Sequence, residues 1–271
     1  MGTIFSVISG KGGVGKTTTS ANLAIGTAQE GKKTVVVDFD LGQRNLDMIL
    51  GLENRVVYDI THVMDKEVTL SQALIKDKRI DNLYFLAASQ TKDKTVLTKP
   101  RVERLVTELK KEFDYIFIDA PAGIEAGFEH AIYFTDNVIV VVNPEVSSIR
   151  DADRVIGIVD AKSEKAKHGT PVNKFLIINR IDPELVAKGE MLDTDDILDI
   201  LSIPLVGKVP EDKQVIDASN TGRPVILQEK SKAGAAYKRI AKRLCGIEVP
   251  FEEVEKEESK GLLKKIAGIF R

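Results

Sequence analysis

The chain has 271 residues and a formal net charge of −2, with 43% hydrophobic and 30% charged residues. This composition suits one or two packed domains, and its near-neutral charge argues against a general binder of polyanions. The single cysteine, Cys245, excludes an intrachain disulfide and a cysteine-ligated zinc site within one chain.

Short runs of β-branched and aromatic residues alternate with helical stretches along the chain. Several of these runs are apolar at almost every position, which is typical of parallel strands covered by helices on both faces. The alternation predicts an α/β fold with a single doubly wound, mostly parallel sheet. In chain order we predict strand Ile4–Ser9, helix Thr17–Gln29, strands Thr34–Asp38 and Leu83–Ala88, helix Arg101–Glu112, strands Tyr115–Asp119 and Asn137–Val142, helix Ser147–Lys165, strand Phe175–Asn179, helix Thr194–Leu201, strand Pro204–Val209 and helix Ala233–Leu244.

Targeting and membrane-spanning signals are weak in this sequence. No charged n-region followed by an apolar h-region precedes the first strand-like run, so we expect no signal peptide. The longest unbroken apolar run, Leu83–Ala88, has six residues, against the ~20 that a spanning helix needs. We therefore expect a cytoplasmic protein.

A glycine-rich motif stands between the first predicted strand and the first predicted helix. It fits the pattern G-x-x-x-x-G-K-[ST], in the context that a P-loop requires. Its backbone N–H groups can turn toward phosphate oxygens, and the helix that follows points its positive end at them. We expect Lys16 to reach the β- and γ-phosphates and the Thr17 hydroxyl to ligate Mg²⁺. The predicted phosphate-binding residues are Gly10, Lys11, Gly12, Gly13, Val14, Gly15, Lys16 and Thr17.

Carboxylates follow two apolar strands. Asp38 and Asp40 end the run VVVDFD and, two residues apart, can face the same way. Asp119 ends the Walker-B-like run YIFIDAP. Ligands of such sheets gather at the carboxyl ends of the strands, so these aspartates are candidates to hold Mg²⁺ beside the P-loop.

A second lysine, Lys11, directly follows the first glycine of the loop. The run KGGVGKT is the deviant Walker A signature, and by it the chain resembles the ParA/MinD family of P-loop ATPases. Further runs resemble the branch of that family that positions the division septum, and they extend the resemblance over essentially the whole chain. These runs are residues 38–47, 56–59, 72–77, 88–91, 120–125, 143–148 and 209–212.

The resemblance implies a Mg²⁺-dependent ATPase that forms a homodimer with ATP. Lys11 would reach the partner subunit's phosphates, and Asp40 would orient the attacking water. Asp38 and Asp119 would hold Mg²⁺ through its water shell. Further nucleotide contacts are implied for Thr18, Asn179, Pro210, Glu211 and Asp212, of which all but Thr18 are assigned to adenine.

Partner contacts are implied as well. The segment Ser147–Val159 resembles the helix through which the family meets its regulators. Helical spacing places Ile149, Ala152, Ile156 and Val159 toward the core. The implied contact residues are Arg44, Arg150, Asp151 and Arg154, and the implied partners are a division inhibitor similar to MinC and a topological regulator similar to MinE.

The C-terminal end changes composition abruptly and suggests three parts: an ATPase domain over residues 1–249, an acidic linker over 250–259 and a basic amphipathic helix over 260–271. Lys260–Arg271 carries four bases and no acid. A helix of this length is ~18 Å long and cannot span a membrane, but it can lie in the interface on anionic headgroups. The residues expected to contact lipid are Leu262, Leu263, Lys264, Lys265, Ile266, Ile269 and Phe270. We thus expect a protein that is peripheral on the inner face of the cell membrane.

Three relatives of the same family offer alternatives. A DNA-partition ATPase would show a basic surface or a DNA-binding extension, and we see neither, so we expect no specific nucleic acid. An iron–sulfur relative would need cysteines at a dimer interface, whereas Cys245 alone is expected in the core. A flagellar-number ATPase, the nearest alternative, commonly has an extension before the P-loop strand, whereas that strand is predicted here from Ile4. His62, His130 and His168 show no metal-ligand spacing.

Overall fold

The computed structural model describes residues 1–92, 94–124 and 127–252. In these ranges the strands are β1 (Thr3–Ile8), β2 (Thr34–Asp38), β3 (Ile75–Lys76), β4 (Leu83–Leu86), β5 (Tyr115–Asp119), β6 (Asn137–Val142), β7 (Asn173–Ile181) and β8 (Leu205–Pro210). The helices are α1 (Lys16–Gln29), α2 (Leu46–Leu50), α3 (Ile60–Met64), α4 (Leu70–Ala73), α5 (Lys99–Glu112), α6 (Phe128–Tyr133), α7 (Val146–Lys162), α8 (Glu164–Lys167), α9 (Pro183–Ala187), α10 (Thr194–Leu201), α11 (Gln214–Thr221) and α12 (Lys232–Leu244). Short 3-10 turns cover Glu53–Arg55, Lys94–Val96 and Val225–Leu227.

The described strands form one eight-stranded sheet in the order β3-β4-β2-β5-β1-β6-β7-β8. Every neighbouring pair is parallel except β3 and β4, which are antiparallel at one edge. The predicted doubly wound, mostly parallel sheet is therefore confirmed. Because β1 lies between β5 and β6, the loop that follows β1 emerges at the middle of the sheet.

Two apolar cores cover the two faces of the sheet. Along β2, Val35 and Val37 pack into one core and Val36 into the other, and all three are fully buried. A strand buried on both faces must be apolar throughout, which explains the unbroken run. Full burial of such a side chain stabilises the fold by about 1.5–3 kcal/mol.

The structure corrects several predicted boundaries. The helix predicted over Ser147–Lys165 ends at Lys162, because the Ser163 hydroxyl accepts from the Ala166 amide at 3.3 Å and caps α8. Strand β7 runs from Asn173 to Ile181, longer than predicted at both ends. Cys245 is not a core residue: it lies partly buried just after α12.

The other predicted elements match to within two residues at each end, and short ones such as β3, α2 and α11 were not predicted. In the part of the chain that the structure describes, we find no helix long and apolar enough to cross a membrane.

Candidate functional site

The P-loop joins the central strand β1 to helix α1, as predicted. Gly15 caps the helix with φ of +94°, a left-handed conformation that L side chains rarely adopt. A Cβ at Gly15 would lie 2.3 Å from Nδ2 of Asn179, so a side chain is excluded there on steric grounds as well. The same Asn179 Nδ2 donates to the Val14 carbonyl at 2.7 Å. The end of β7 therefore buttresses the loop against the sheet.

Lys16, the first residue of α1, points into the protein. Its Nζ lies 3.0 Å from Oδ1 of Asp119, and the two side chains are 7% and 1% exposed. The Ser20 hydroxyl, one helical turn on, donates to the same carboxylate oxygen at 2.8 Å. Ser20 was not among the predicted site residues, although its i+4 spacing from Lys16 places it on the same helix face.

Asp38 and Asp119 end adjacent parallel strands and stand opposite each other in register. Asp38 is 1% exposed and accepts from the backbone amides of Asp40 at 2.9 Å and Leu46 at 3.4 Å. Burial and, after it, the charge of Asp119 raise the pKa of Asp38 to about 8. Lys16 thus faces two buried carboxyl groups, and an added cation would stabilise the ionised form of both.

This donor set fits Mg²⁺. Carboxylate and hydroxyl oxygens are the ligands that this ion takes, and it keeps several waters or phosphate oxygens rather than an all-protein cage. The described residues contain no cluster of three or more His, Cys, Asp or Glu side chains suited to a metal. Thr17, Asp38 and Asp119 are the residues that would hold the ion, directly or through water.

Lys11 is placed quite differently from Lys16. It is exposed at the surface, where its Nζ lies 3.3 Å from Glu145 Oε2 and 3.3 Å from the Ser147 hydroxyl at the start of α7. Both partners of the ion pair are about half exposed, with side-chain exposures of 45% and 54%. Such a pair is worth no more than ~1 kcal/mol, so a stronger acceptor can displace it.

The Asp40 loop connects β2 to α2. The Asp40 carbonyl accepts from the amides of Gln43 and Arg44, each at 3.2 Å. Arg44, a predicted partner contact, has φ of +33° and its Nε lies 2.5 Å from Oδ2 of the buried Asp47. Within the single chain, Arg44 therefore holds its own loop.

A cavity of about 140 Å³ opens beside the P-loop between the ends of β7 and β8. The Asp212 carboxylate at its rim accepts from Ser231 Oγ at 2.6 Å and from the amides of Gln214 and Ala233 at 2.9 and 3.1 Å. Burial pushes the pKa of Asp212 up, but these hydrogen bonds outweigh it and bring the pKa below its usual value. The carboxylate thus shapes the loop that follows β8. The walls comprise Gly15, Thr18, Asn179, Arg180, Pro210, Glu211, Asp212, Val215, Ile216 and Tyr237.

Helix α7 buries the four residues predicted to face the core. Ile149, Ala152, Ile156 and Val159 are all at most 8% exposed. Of the implied contact residues, Arg150 and Arg154 are exposed. Asp151 is only partly exposed. Its backbone lies against the P-loop, because a Cβ built on Gly10 would be 2.2 Å from it. One side of α7 therefore packs on the P-loop and another faces solvent.

The predicted lipid contacts, Leu262 to Phe270, lie outside the described residues. The acidic segment is described as far as Glu252, and that part is held by arginines. Arg243 donates to the Val249 and Pro250 carbonyls at 2.9 and 2.6 Å, and Arg239 pairs with Glu252 at 2.9 Å. The chain thus stays on the domain surface through Glu252.

Comparison with known proteins finds relatives along the whole chain. A family model described as an AAA domain matches residues 2–170. Septum site-determining protein MinD of Helicobacter pylori is 58% identical over 270 residues, which cover 100% of both chains.

Two solved structures share the fold. The MinC:MinD cell division protein complex of Aquifex aeolicus superposes with a TM-score of 0.81 at 44% identity, covering 93% of this chain and 99% of that chain. Septum site-determining protein MinD of Pyrococcus horikoshii, complexed with Mg-ADP, superposes with a TM-score of 0.75 at 27% identity, covering 90% and 96%. With its deviant P-loop and its full-length match to these proteins, the chain belongs to the MinD branch of septum site-determining proteins in the ParA/MinD family of P-loop ATPases.

Proposed function

We propose that this chain hydrolyses ATP with Mg²⁺ to control its own dimerisation and membrane residence, and thereby recruits a division inhibitor. The observation that carries the proposal is the contrast between two lysines of one loop. Lys16 is buried on Asp119, whereas Lys11 is exposed and weakly held by Glu145. This contrast supports a role for Lys16 in its own site and a role for Lys11 in the site of a second chain.

In the proposed reaction, Lys16 moves its ammonium from Asp119 toward the β- and γ-phosphates. Thr17, Asp38 and Asp119 would hold Mg²⁺, directly or through its water shell. Bound Mg²⁺ would neutralise charge on the phosphate oxygens. Asp40 accepts a hydrogen bond from the attacking water and orients it in line, which is the role of the positioning residue in such sites.

Lys11 completes the site of the partner subunit. A cation supplied in trans stabilises the charge that develops on the transferred phosphoryl group and is worth ~10³–10⁵ in rate in related systems. Hydrolysis would then depend on dimerisation, because a single chain holds its Lys11 on Glu145 and Ser147.

The basic C-terminal segment, 260–271, would link nucleotide state to the membrane. One short amphipathic helix is a weak anchor, comparable at best with one acyl chain. Two helices in one dimer add by effective concentration and can exceed either affinity ~10²–10⁴-fold. ATP binding would therefore place the dimer on anionic lipid, and hydrolysis would release it.

The proposed partner is a division inhibitor similar to MinC, since a relative at 44% identity forms a MinC:MinD complex. The exposed arginines of α7, Arg150 and Arg154, are the proposed contacts. A regulator similar to MinE would stimulate hydrolysis and so end membrane residence.

Liposome sedimentation tests the proposal. The full chain and a chain without residues 260–271 are mixed with anionic vesicles in ATP, ADP or no nucleotide. We expect sedimentation of the full chain with ATP alone. Equal sedimentation in all three nucleotide states, or of the truncated chain with ATP, would refute the switch.

A further inference from the structure

Arg79 lies outside the phosphate site, yet its side chain joins three parts of the chain. Its Nε and Nη2 donate to the two carboxylate oxygens of Asp77 at 3.1 and 2.6 Å. The same guanidinium donates to the carbonyl of Leu50 at 2.5 Å and to that of Gly222 at 3.1 Å. Because the Asp77 side chain is 1% exposed, the two-pronged pairing fixes the plane of the guanidinium. Arg79 therefore holds the C-terminal ends of two helices, α2 and α11.

Those two ends also touch each other directly. Gly51 and Gly222 cap α2 and α11 in left-handed conformations, with φ of +64° and +60°. A Cβ on Gly51 would lie 2.5 Å from the Gly222 carbonyl oxygen, and a Cβ on Gly222 would lie 2.6 Å from the Gly51 Cα. Backbone meets backbone with no side chain between them, so a shift of one helix end is passed to the other.

The other end of α11, its N-terminus, reaches the cavity between the ends of β7 and β8. We call it the base cavity, because the family resemblance assigns several of its residues to adenine. Val215 and Ile216, in the first turn of α11, line the cavity of about 140 Å³. The helix begins where the Asp212 carboxylate accepts from the Gln214 amide at 2.9 Å. A base that fills this cavity would press on the first turn of a helix whose other end rests on Gly51.

The far end of α2 reaches the Asp40 loop. The Leu46 amide donates to Oδ2 of Asp38, and Asp47 pairs with Arg44 of the loop at 2.5 Å. A five-residue helix cannot absorb much displacement along its axis, so the position of Leu50 bears on the position of the loop.

We propose that Arg79 is a positioning residue that couples the base cavity to the Asp40 loop, so that hydrolysis depends on which base is bound. The inference rests on the proposed ATPase function. It adds that a residue outside the cavity contributes to the preference for one nucleotide base over another. Arg79 does not line the cavity, and its side chain donates to Asp77, Leu50 and Gly222. It acts by keeping α2 and α11 in contact.

Steady-state hydrolysis of ATP and CTP by Arg79→Lys tests this coupling. Lysine keeps the charge but loses the fork that reaches Asp77 and two carbonyls together. The matched control is Arg55→Lys, since the Arg55 side chain also donates to a backbone carbonyl nearby, that of Lys76 at 2.8 Å, whereas the Leu50 and Gly222 carbonyls accept from Arg79.

For Arg79→Lys we expect kcat with ATP to fall roughly fivefold to tenfold, within the range by which such coupling residues act. The KM for ATP should change by less than about twofold, because the phosphate contacts are intact. With CTP, whose single ring fills less of the cavity, kcat should already be low and fall little further. Arg55→Lys should leave both nucleotides unaffected. Equal falls in kcat with both nucleotides, or no fall with ATP, would overturn the coupling.

Amide hydrogen exchange of the wild-type chain provides a second test, and it does not depend on whether a variant folds. ADP should protect residues 40–50 more than inorganic pyrophosphate does, since only ADP places a base in the cavity. Equal protection by ADP and pyrophosphate would refute the inference while leaving the ATPase proposal intact. Failure of the wild-type chain to bind ADP or to hydrolyse ATP would instead refute the proposed function.

Discussion

Lys16 and Asp119 form a buried ion pair in which Nζ and Oδ1 are 3.0 Å apart. The pair joins the P-loop to the carboxyl end of β5. Breaking a buried pair by removing one partner costs ~3–5 kcal/mol, because the other charge is left without compensation.

We expect Lys16→Ala to lose nucleotide binding and also to lower the free energy of unfolding, by up to that amount. Fluorescent-nucleotide titration and chemical denaturation measure the two effects. Lys11→Ala is the matched control from the same loop. Its lysine is exposed, so its stability should change by less than ~1 kcal/mol. Tight nucleotide binding by Lys16→Ala would contradict the P-loop assignment.

The pKa of Asp38 predicts a dependence of stability on pH in the metal-free protein. The folded pKa is about 8 and the ordinary value is 3.8. Between these values the folded chain binds more protons at Asp38 than the unfolded chain does, so the contribution of this group falls as pH rises. We expect wild type to lose up to about 1.4 kcal/mol per pH unit relative to Asp38→Asn between these pKa values. Denaturation curves of both chains at a series of pH values measure this difference in the free energy of unfolding. If both chains depend on pH in the same way, the raised pKa of Asp38 is contradicted.

The central part of the site was predictable because it depends on local pattern. The P-loop, Asp38 and Asp119 each lie at a strand end, and parallel strands bring their carboxyl ends to one edge. The pattern does not show which way each lysine side chain points. Both Lys11 and Lys16 belong to one motif, and only the packing of α7 and β5 shows that one is exposed and the other buried.

Other features were missed because they arise from contacts between distant residues. Arg79 and Gly222 are 143 residues apart, and no local signal joins them. The two-residue strand β3 and the five-residue helix α2 are too short for a periodic pattern. Cys245 was expected in the core on a late helix, but it falls just after the last helical turn and is only partly buried.

Asn179 allows two roles to be separated. Its amide donates to the Val14 carbonyl at 2.7 Å, so it supports the P-loop, and it also lines the cavity between the ends of β7 and β8. We expect Asn179→Ala to weaken ADP binding and pyrophosphate binding by similar factors, because the phosphate loop loses its buttress. Isothermal titration with both ligands decides the question. Weakening of ADP alone would make Asn179 chiefly an adenine contact.

The C-terminal segment provides a prediction on lipid binding. Ile269→Glu or Phe270→Glu places a charge among the residues expected to contact lipid, and we expect loss of vesicle binding with basal hydrolysis intact. Each of these apolar side chains is worth ~1.5–3 kcal/mol when fully buried. Replacing Lys264 and Lys265 by Gln should mainly reduce the preference for anionic lipid, and added salt should weaken what those lysines contribute.

Vesicle sedimentation beside an ATPase assay in the absence of lipid measures both properties of these variants. Lowered basal turnover or an unfolded domain in the glutamate variants would show that the segment is a structural part of the ATPase domain.

The ATPase activity of a mixture of Lys11→Ala and Asp40→Ala chains tests whether Lys11 acts across the dimer. A heterodimer holds one site with its own Asp40 and the partner's Lys11, while its other site lacks both. Each variant alone should be nearly inactive, and an equal mixture should recover about one quarter of wild-type activity, since half the dimers have one competent site in two. A mixture no more active than the average of its two components would contradict catalysis by Lys11 across the dimer.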